Sequence, residues 1–302
     1  MSRRFPLLWA VLGVIVGVGV LVRLVRRRRL AARLGGKVVI ITGASRGIGR
    51  ALAHAFAQRG ASLVLAARHR DDLEAVAAEC RAIPLCGDVL TVPADVTDEA
   101  HLEHLVTATL ERFGHVDILV NNAGVRIGGA FTDLDPQSLR RQMEVNLLAA
   151  MRLTQMVLPI MLKRGEGWIV NVASQAGRHA EPYFVAYGAS KHGVIGFSEG
   201  LRRELAGTGV RVLTVSPGFA DTEMVTAIGP VYRRMGFPMI PPQRVARRTV
   251  EGILLGLPEV NIGWLETLGG YASVFAPRLA DLYWRVFMPP DFPQAAARQR
   301  SR

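Results

Sequence analysis

The sequence predicts an α/β protein, one large domain preceded by an apolar segment long enough to cross a membrane. Three observations carry this. Short β-branched apolar runs alternate along the chain with stretches of helical apolar periodicity, the pattern that sets strands between helices. The first run, KVVIIT at Lys37–Thr42, opens directly into a glycine-rich turn and then an amphipathic helix. The chain has 302 residues, half of them apolar, with 31 glycines and 16 prolines, which suits one large domain and an appendage better than two domains.

Phe5–Val22 contains eighteen residues without a charge, close to the ~20 that cross ~30 Å of hydrocarbon. Arg23 follows where a long side chain can snorkel to the interface. The segment reads as a retained anchor. A cleaved secretory signal is the alternative, but no small-residue cleavage site follows and Arg26–Arg29 are poor flanks for one. Arg3 and Arg4 precede the segment, whereas Arg23, Arg26, Arg27, Arg28, Arg29, Arg33 and Lys37 follow it, so the domain is expected on the cytoplasmic side. Part of the net charge of +12 is this cluster, which anionic lipid headgroups attract. Nucleic acid is not an expected partner, because the cluster abuts an apolar span and lacks interleaved aromatics. Two cysteines, Cys80 and Cys86, with no histidine pair near them, make neither a disulfide framework nor a zinc site, and no metal is expected. The expected divisions are 1–34 for the anchor and basic segment, 35–265 for the α/β domain and 266–302 for a helical extension with a basic tail.

The first strand ends at Thr42, and the turn Gly43-Ala44-Ser45-Arg46-Gly47-Ile48-Gly49 leads to a helix from about Arg50 to Gln58. Strand, glycine turn and helix together aim backbone N–H groups and a helix N-terminus at a phosphate. Glycine is required because a Cβ would hold the backbone off the ligand. The next strand, Ala61–Ala67, ends at Arg68, where a carboxylate would bind the ribose of NAD and repel the 2′-phosphate of NADP. Arg68, helped by Arg46, offers bidentate donors to that phosphate, and NADP(H) is the expected cofactor. A helix over about Asp71–Arg81 and a strand at Val89–Ala94 lead to Asp95-Val96, and Asp98 is placed to cap a helix reaching Phe113. His101 and His104 read as a solvated face. A fourth strand, Val116–Val120, runs into Asn121-Asn122-Ala123-Gly124, where two consecutive amides need arranged partners. After a variable loop at Val125–Pro136, a long helix carries Asn146 among Val145, Leu147 and Leu148, a polar residue unwelcome in a packed helix.

The fifth strand, Trp168–Val172, ends at Ala173-Ser174, and the following helix carries Tyr187 and Lys191 to about Ala206. Residues four apart share a helix face. A phenol loses its proton near pH ~10, and a neighbouring cation brings that value toward the range useful at neutral pH. The bare spacing fits a solvated helix face as well. A sixth strand at Val210–Val215 enters Ser216-Pro217-Gly218. Asp221–Pro242 reads as irregular and rich in methionine, either ordinary loop packing against the core or a flexible apolar surface suited to bulky apolar ligands. A helix over about Arg244–Leu255, a seventh strand at Glu259–Trp264 and an apolar helical pattern over Tyr271–Phe287 complete the chain. That last stretch fits a substrate lid, a dimer contact or a membrane-surface contact.

The loop spacing Thr-Gly-x-x-x-Gly-x-Gly, the Asn-Asn-Ala-Gly element, Asn146, and Ser174 thirteen residues before Tyr187-Gly188-Ala189-Ser190-Lys191 resemble the classical short-chain dehydrogenase/reductase family, over Lys37 to about Trp264. Ala173-Ser174 departs from the family's commoner Ser-Ser only at the non-catalytic serine. The resemblance implies a Rossmann-type doubly wound parallel sheet of about seven strands with helices on both faces. It also implies hydride transfer between a nicotinamide and a carbonyl or alcohol carbon. Tyr187 would be the proton donor, Ser174 a hydrogen-bond partner of the reacting oxygen, Lys191 the cation that lowers the phenol and binds ribose, and Asn146 the holder of a relay water. The cofactor contacts it implies are Thr42, Gly43, Ser45, Arg46, Gly47, Ile48, Gly49, Arg68, Asp95 and Val96 beside the adenine, Asn122, Ala123, Gly124, Tyr187, Lys191, Pro217, Gly218, and Thr222 at the nicotinamide carboxamide. With an anchor, a lipophilic substrate is expected: a steroid, a retinoid, a 3-ketosphinganine-like or another long-chain lipid. Family members are often homodimers or homotetramers. A non-catalytic NADP-binding scaffold or redox sensor would predict a broken catalytic set, and a nucleotide-sugar epimerase a longer substrate domain and another glycine loop.

Overall fold

The computed structural model describes Val25, residues 28–32 and residues 34–299. The anchor at Phe5–Val22 lies outside the described residues. Seven strands form one parallel sheet in the order β3-β2-β1-β4-β5-β6-β7. They are β1 Val38–Thr42, β2 Ser62–Ala67, β3 Val89–Pro93, β4 Ile118–Asn121, β5 Gly167–Val172, β6 Val210–Pro217 and β7 Glu259–Ile262. The direction of winding reverses between β1 and β4, which opens a crevice at the carboxyl ends of those strands.

Every residue of β1 is buried, because both faces of the sheet are covered. Val39 and Ile41 point to one layer with Leu52 and Phe56 of α1 (Gly47–Ala57), Leu73 of α2 (Arg70–Arg81) and Val250 of α8 (Pro242–Leu255). Val38 and Ile40 point to the other with Leu102 of α3 (Glu99–Phe113), Val157 of α5 (Ala149–Arg164) and Leu201 of α6 (Val185–Glu204). This alternation is the period of two that a strand imposes. Asp98 caps α3 as expected, its Oδ1 accepting from the His101 amide at 3.2 Å, and His101 and His104 are exposed. Among the described residues, one helical stretch is long and apolar enough to cross a membrane, Pro136–Arg164. It comprises α4 (Pro136–Met143), a π-helical turn at Glu144–Leu148 and α5, and α5 packs on the sheet.

Several expectations change. The helix after the glycine turn begins at Gly47 rather than Arg50, so the turn and the first helical turn are one unit. Asp221–Pro242 is not wholly irregular, since it holds a 3₁₀ turn at Glu223–Val225 and α7 (Gly229–Arg234). The seventh strand stops at Ile262, where Gly263 takes φ +106° and Trp264 opens α9 (Trp264–Phe275). The single helical pattern over Tyr271–Phe287 is two helices, α9 and α10 (Pro277–Phe287), because Pro277 can begin a helix but cannot continue one. A further helix, α11 (Phe292–Arg298), packs Phe292 and Ala296 fully inside.

Candidate active site

Tyr187 and Lys191 lie one turn apart on the buried side of α6, 7% and 4% exposed. Ser174, at the carboxyl end of β5, caps the next 3₁₀ turn by accepting from the Ala176 amide at 3.1 Å. It lines the same cavity as the Tyr187 phenol and opposes the rise that burial imposes on it. Asn146 sits in the π turn, whose extra residue re-aims its side chain out of the helix packing. Its Oδ1 accepts from the Val125 amide at 2.7 Å, and its Nδ2 donates to the Val125 carbonyl and to Ser190 Oγ, both at 2.9 Å. One lone pair on Oδ1 remains for the relay water that the resemblance implies. A Cβ added at Gly124 would lie 3.3 Å from Asn146 Oδ1 and 3.7 Å from Lys191 Nζ, so the three form one neighbourhood.

The glycine turn fits the cradle it is expected to be. A Cβ at Gly49 would come within 2.0 Å of the Gly43 carbonyl oxygen, and one at Gly43, itself at φ +63°, within 2.9 Å of Ala123 Cα. Gly47, at φ +53°, faces Thr222 in the same way at 3.2 Å. Thr42 stands behind this turn, its Oγ1 accepting from the Asn122 and Ala123 amides at 3.0 Å. Asn122 returns two hydrogen bonds, from Nδ2 to the carbonyls of Thr42 and Gly43. Asn121 ties β4 to β5 by donating to Asn171 Oδ1 at 2.8 Å. The adjacent amides therefore have the partners that the sequence required of them.

A cavity of about 690 Å³ opens over the carboxyl ends of the strands. Gly43, Ser45, Arg46, Gly47, Ile48, Gly49, Arg68, Asp95, Val96, Asn122, Ala123, Gly124, Pro217, Gly218 and Thr222 line it, with Ser174, Tyr187 and Lys191. Thr42 and Asn146 are not on its wall; they hold the groups that are. Arg46 donates to Glu223 at 2.7 Å across the mouth. Burial raises the Asp95 carboxyl, but hydrogen bonds from the Thr97 amide and hydroxyl outweigh it and hold the group below its usual range.

Two cations lie near the Tyr187 ring. Burial pushes the Tyr187 phenol up, and the Arg126 cation, followed by the Ser174 hydroxyl, opposes this. The Arg126 guanidinium carbon lies 5.3 Å from the Tyr187 ring centre, against 5.9 Å for Lys191 Nζ. Lys191 instead donates to the Val172 carbonyl at 2.8 Å, and burial lowers its ammonium to about 8. Arg126 comes from the stretch read as a variable loop, yet it is 3% exposed. It pairs with Glu181 at 2.8 Å, bonds the Tyr232 hydroxyl, and lies 3.7 Å over the Phe184 ring. A buried cation needs a buried counter-charge, so Glu181 is the signal that could locate it. Gln175, His179, Glu266, Arg298 and Gln299 also line the cavity, and the sequence motifs do not place them there.

Similarity to known proteins agrees with this geometry. A family model described as short chain dehydrogenase matches residues 37–232. Ketoacyl reductase HetN of Nostoc sp. is 35% identical over 88% of this chain and 94% of its own length. The 3-oxoacyl-[acyl-carrier-protein] reductase FabG of Thermotoga maritima is 36% identical over 71% of this chain and 87% of its own. Among solved structures, a single-substitution variant of actinorhodin polyketide ketoreductase with NADPH superimposes with a TM-score of 0.71 at 34% identity, covering 76% of this chain and 97% of the other. A 7α-hydroxysteroid dehydrogenase with NADH and 7-oxo glycochenodeoxycholic acid gives 0.71 at 28% identity, covering 76% and 94%.

Proposed function

The chain belongs to the short-chain dehydrogenase family and is an oxidoreductase acting on carbonyl and alcohol groups; from that premise we propose that it uses NADP(H) and a lipophilic substrate. The observation that carries the reading is the convergence of Tyr187, Ser174 and Lys191 on a cavity whose other end is a glycine cradle beside Arg68. The cradle suits a dinucleotide, because each of Gly43 and Gly49 leaves room that a Cβ would fill. The N-terminus of α1 favours the pyrophosphate. Similar structures carry NADPH in one case and NADH in another, so the preference for NADP(H) rests on Arg68 directly after β2, where an acid would repel the 2′-phosphate.

Bound there, the nicotinamide supplies or accepts the hydride. The chain's own residues manage the proton and the charge. In the reducing direction Tyr187 gives its proton to the substrate oxygen as charge develops on it, and Ser174 hydrogen-bonds the same oxygen. Burial keeps the phenol protonated at neutral pH, as a donor must be, and Arg126 limits the cost of the phenolate left behind. Lys191, charged below pH of about 8, stands next to Asn146 and Gly124 as the source from which Tyr187 regains a proton. The Phe5–Val22 segment anchors the domain to a membrane on its cytoplasmic side, and the apolar residues Phe219, Met224 and Val225 on the cavity wall suit a greasy substrate. Full-length protein in detergent, assayed with NADPH and NADH against lipid ketones, is expected to favour NADPH by at least about tenfold in kcat/KM. Equal use of NADH, or faster turnover of small water-soluble ketones than of any lipid, would overturn the reading.

A further inference from the structure

On the cavity wall where β5 and β6 end and α9 begins, the chain presents more hydrogen-bonding capacity than its own groups use. Gln175, 2% exposed, shares the two protons of Nε2 among three acceptors, the Ser216 carbonyl at 3.1 Å, Asn261 Oδ1 at 2.9 Å and Thr267 Oγ1 at 3.0 Å. A backbone carbonyl can only accept, so the amide orientation is settled and Oε1 is turned the other way, where it meets no donor. Glu266 lies in the first turn of α9, 1% exposed, and neither carboxyl oxygen has a hydrogen-bond partner. The amides of Phe219 and Glu266 itself approach it without bonding geometry. A Cβ at Gly218 would come within 2.5 Å of its Oε1 and one at Gly263 within 2.6 Å of its Oε2, so the carboxyl is fixed by close backbone on two sides. Nδ1 of His179 is a fourth buried atom without a partner. Gln175, His179 and Glu266 all line the cavity that holds Tyr187 and Ser174.

Buried polar atoms left unpaired are costly, and several on one wall call for an explanation in what binds there. We propose that Gln175, Glu266 and His179 form a polar subsite that takes a hydroxyl group carried by the substrate at a distance from the carbonyl that reacts. The proposal rests on the carbonyl and alcohol reading above and adds to it that the greasy substrate is hydroxylated. A hydroxyl both donates and accepts, which matches Gln175 Oε1 as a pure acceptor and, on the same cavity lining, a carboxyl that burial pushes up toward its neutral form. An ammonium would need a standing anion, and burial works against one at Glu266.

The test uses full-length enzyme in detergent with NADPH, a medium-chain methyl ketone, and analogues bearing one hydroxyl at successive carbons. The readout is the ratio of kcat/KM for each hydroxylated ketone to that for the plain one, in the wild type, Glu266→Leu and Glu266→Gln. At least one position is expected to be favoured by about threefold to tenfold, the worth of one net hydrogen bond. The ratio falls to near one in Glu266→Leu and is largely kept in Glu266→Gln, which retains an acceptor. Because each ratio is taken within one variant, a general loss of folded enzyme does not move it. NADPH titration without substrate separates the other donor in reach, the cofactor's carboxamide. If Glu266→Leu weakens NADPH about tenfold and leaves the ratio alone, the acceptors serve the cofactor and the proposal is overturned. Ketones turned over without preference overturn the subsite alone, whereas a series in which no ketone is turned over overturns the carbonyl reading and the subsite with it.

Discussion

Replacing Glu181 by leucine isolates the buried ion pair that the active site is built against. Both side chains of the Arg126–Glu181 pair are 4% exposed, with Nη2 and Oε2 2.8 Å apart, and the Tyr232 hydroxyl bonds both. Removing the carboxylate takes from the guanidinium its close counter-charge while Phe184 still covers it. Breaking such a pair costs about 3–5 kcal/mol, whereas replacing both partners by apolar residues is often neutral. At roughly 2–4 °C per kcal/mol for a domain of this size, Glu181→Leu should lower Tm by about 6–20 °C. The double variant Arg126→Met, Glu181→Leu should recover most of that. Thermal unfolding followed by circular dichroism on the wild type, both single variants and the double variant gives the coupling energy directly. A single variant within about 1 kcal/mol of wild type, or a double variant no more stable than Glu181→Leu, would refute the reasoning. The same cycle has a kinetic arm. Arg126 is the cation that most lowers the buried phenol, so Arg126→Met should move the rising limb of the kcat/KM profile for alcohol oxidation, where Tyr187 is the base, to higher pH.

Other perturbations test the cradle, the cofactor choice and the lysine. Gly49→Ala puts a methyl 2.0 Å from a backbone oxygen that cannot swing away; overpacking of this kind costs about 1–3 kcal/mol or more, and loss of NADPH binding in a fluorescence titration checks it. Arg68→Asp should cut kcat/KM with NADPH by about 10–100-fold, the worth of charge-assisted bonds to the 2′-phosphate, without a matching loss for NADH. For Lys191, the folded value of about 8 lies below the ordinary 10.5, so the unfolded chain binds the extra proton and stability rises with pH between those values. Lys191→Met, free of that penalty, should be inactive yet more stable than wild type at pH ~7 by at most about 3 kcal/mol. The gap should close near pH ~10, and Tm against pH for the two proteins is the measurement.

What is legible in the sequence follows from local physics. Strands buried on both faces must be apolar and β-branched, so β1, β2 and β5 can be read within a residue or two. The glycines of the cradle can be read because their positions admit no Cβ, and Asn146 because an amide in an apolar helix demands a reason. Arg126 cannot, since one arginine in a glycine-rich loop looks like surface until Glu181, fifty-five residues on, supplies its counter-charge. For that reason the spacing alone points to Lys191 as the cation at Tyr187, and the structure adds Arg126, 5.3 Å from the ring centre. Helix α11 is equally hidden: Phe-Pro-Gln-Ala-Ala-Ala-Arg has little periodic signal. It is held by tertiary bonds, the Gln299 carbonyl accepting from the Gly128 amide and its side chain from the Ala227 amide. Gln175 and Glu266 carry no sequence signature because their meaning lies in the partners they lack.

The central claim is that Tyr187 moves the proton. Its most direct measurement is single-turnover oxidation of NADPH by Tyr187→Phe in the presence of a ketone that the wild type reduces, with NADPH affinity titrated in parallel. A general acid contributes about 100–10,000-fold, so turnover should fall at least that far while the dissociation constant for NADPH stays within about threefold. Turnover within about tenfold of wild type, with NADPH bound as before, would contradict the assignment.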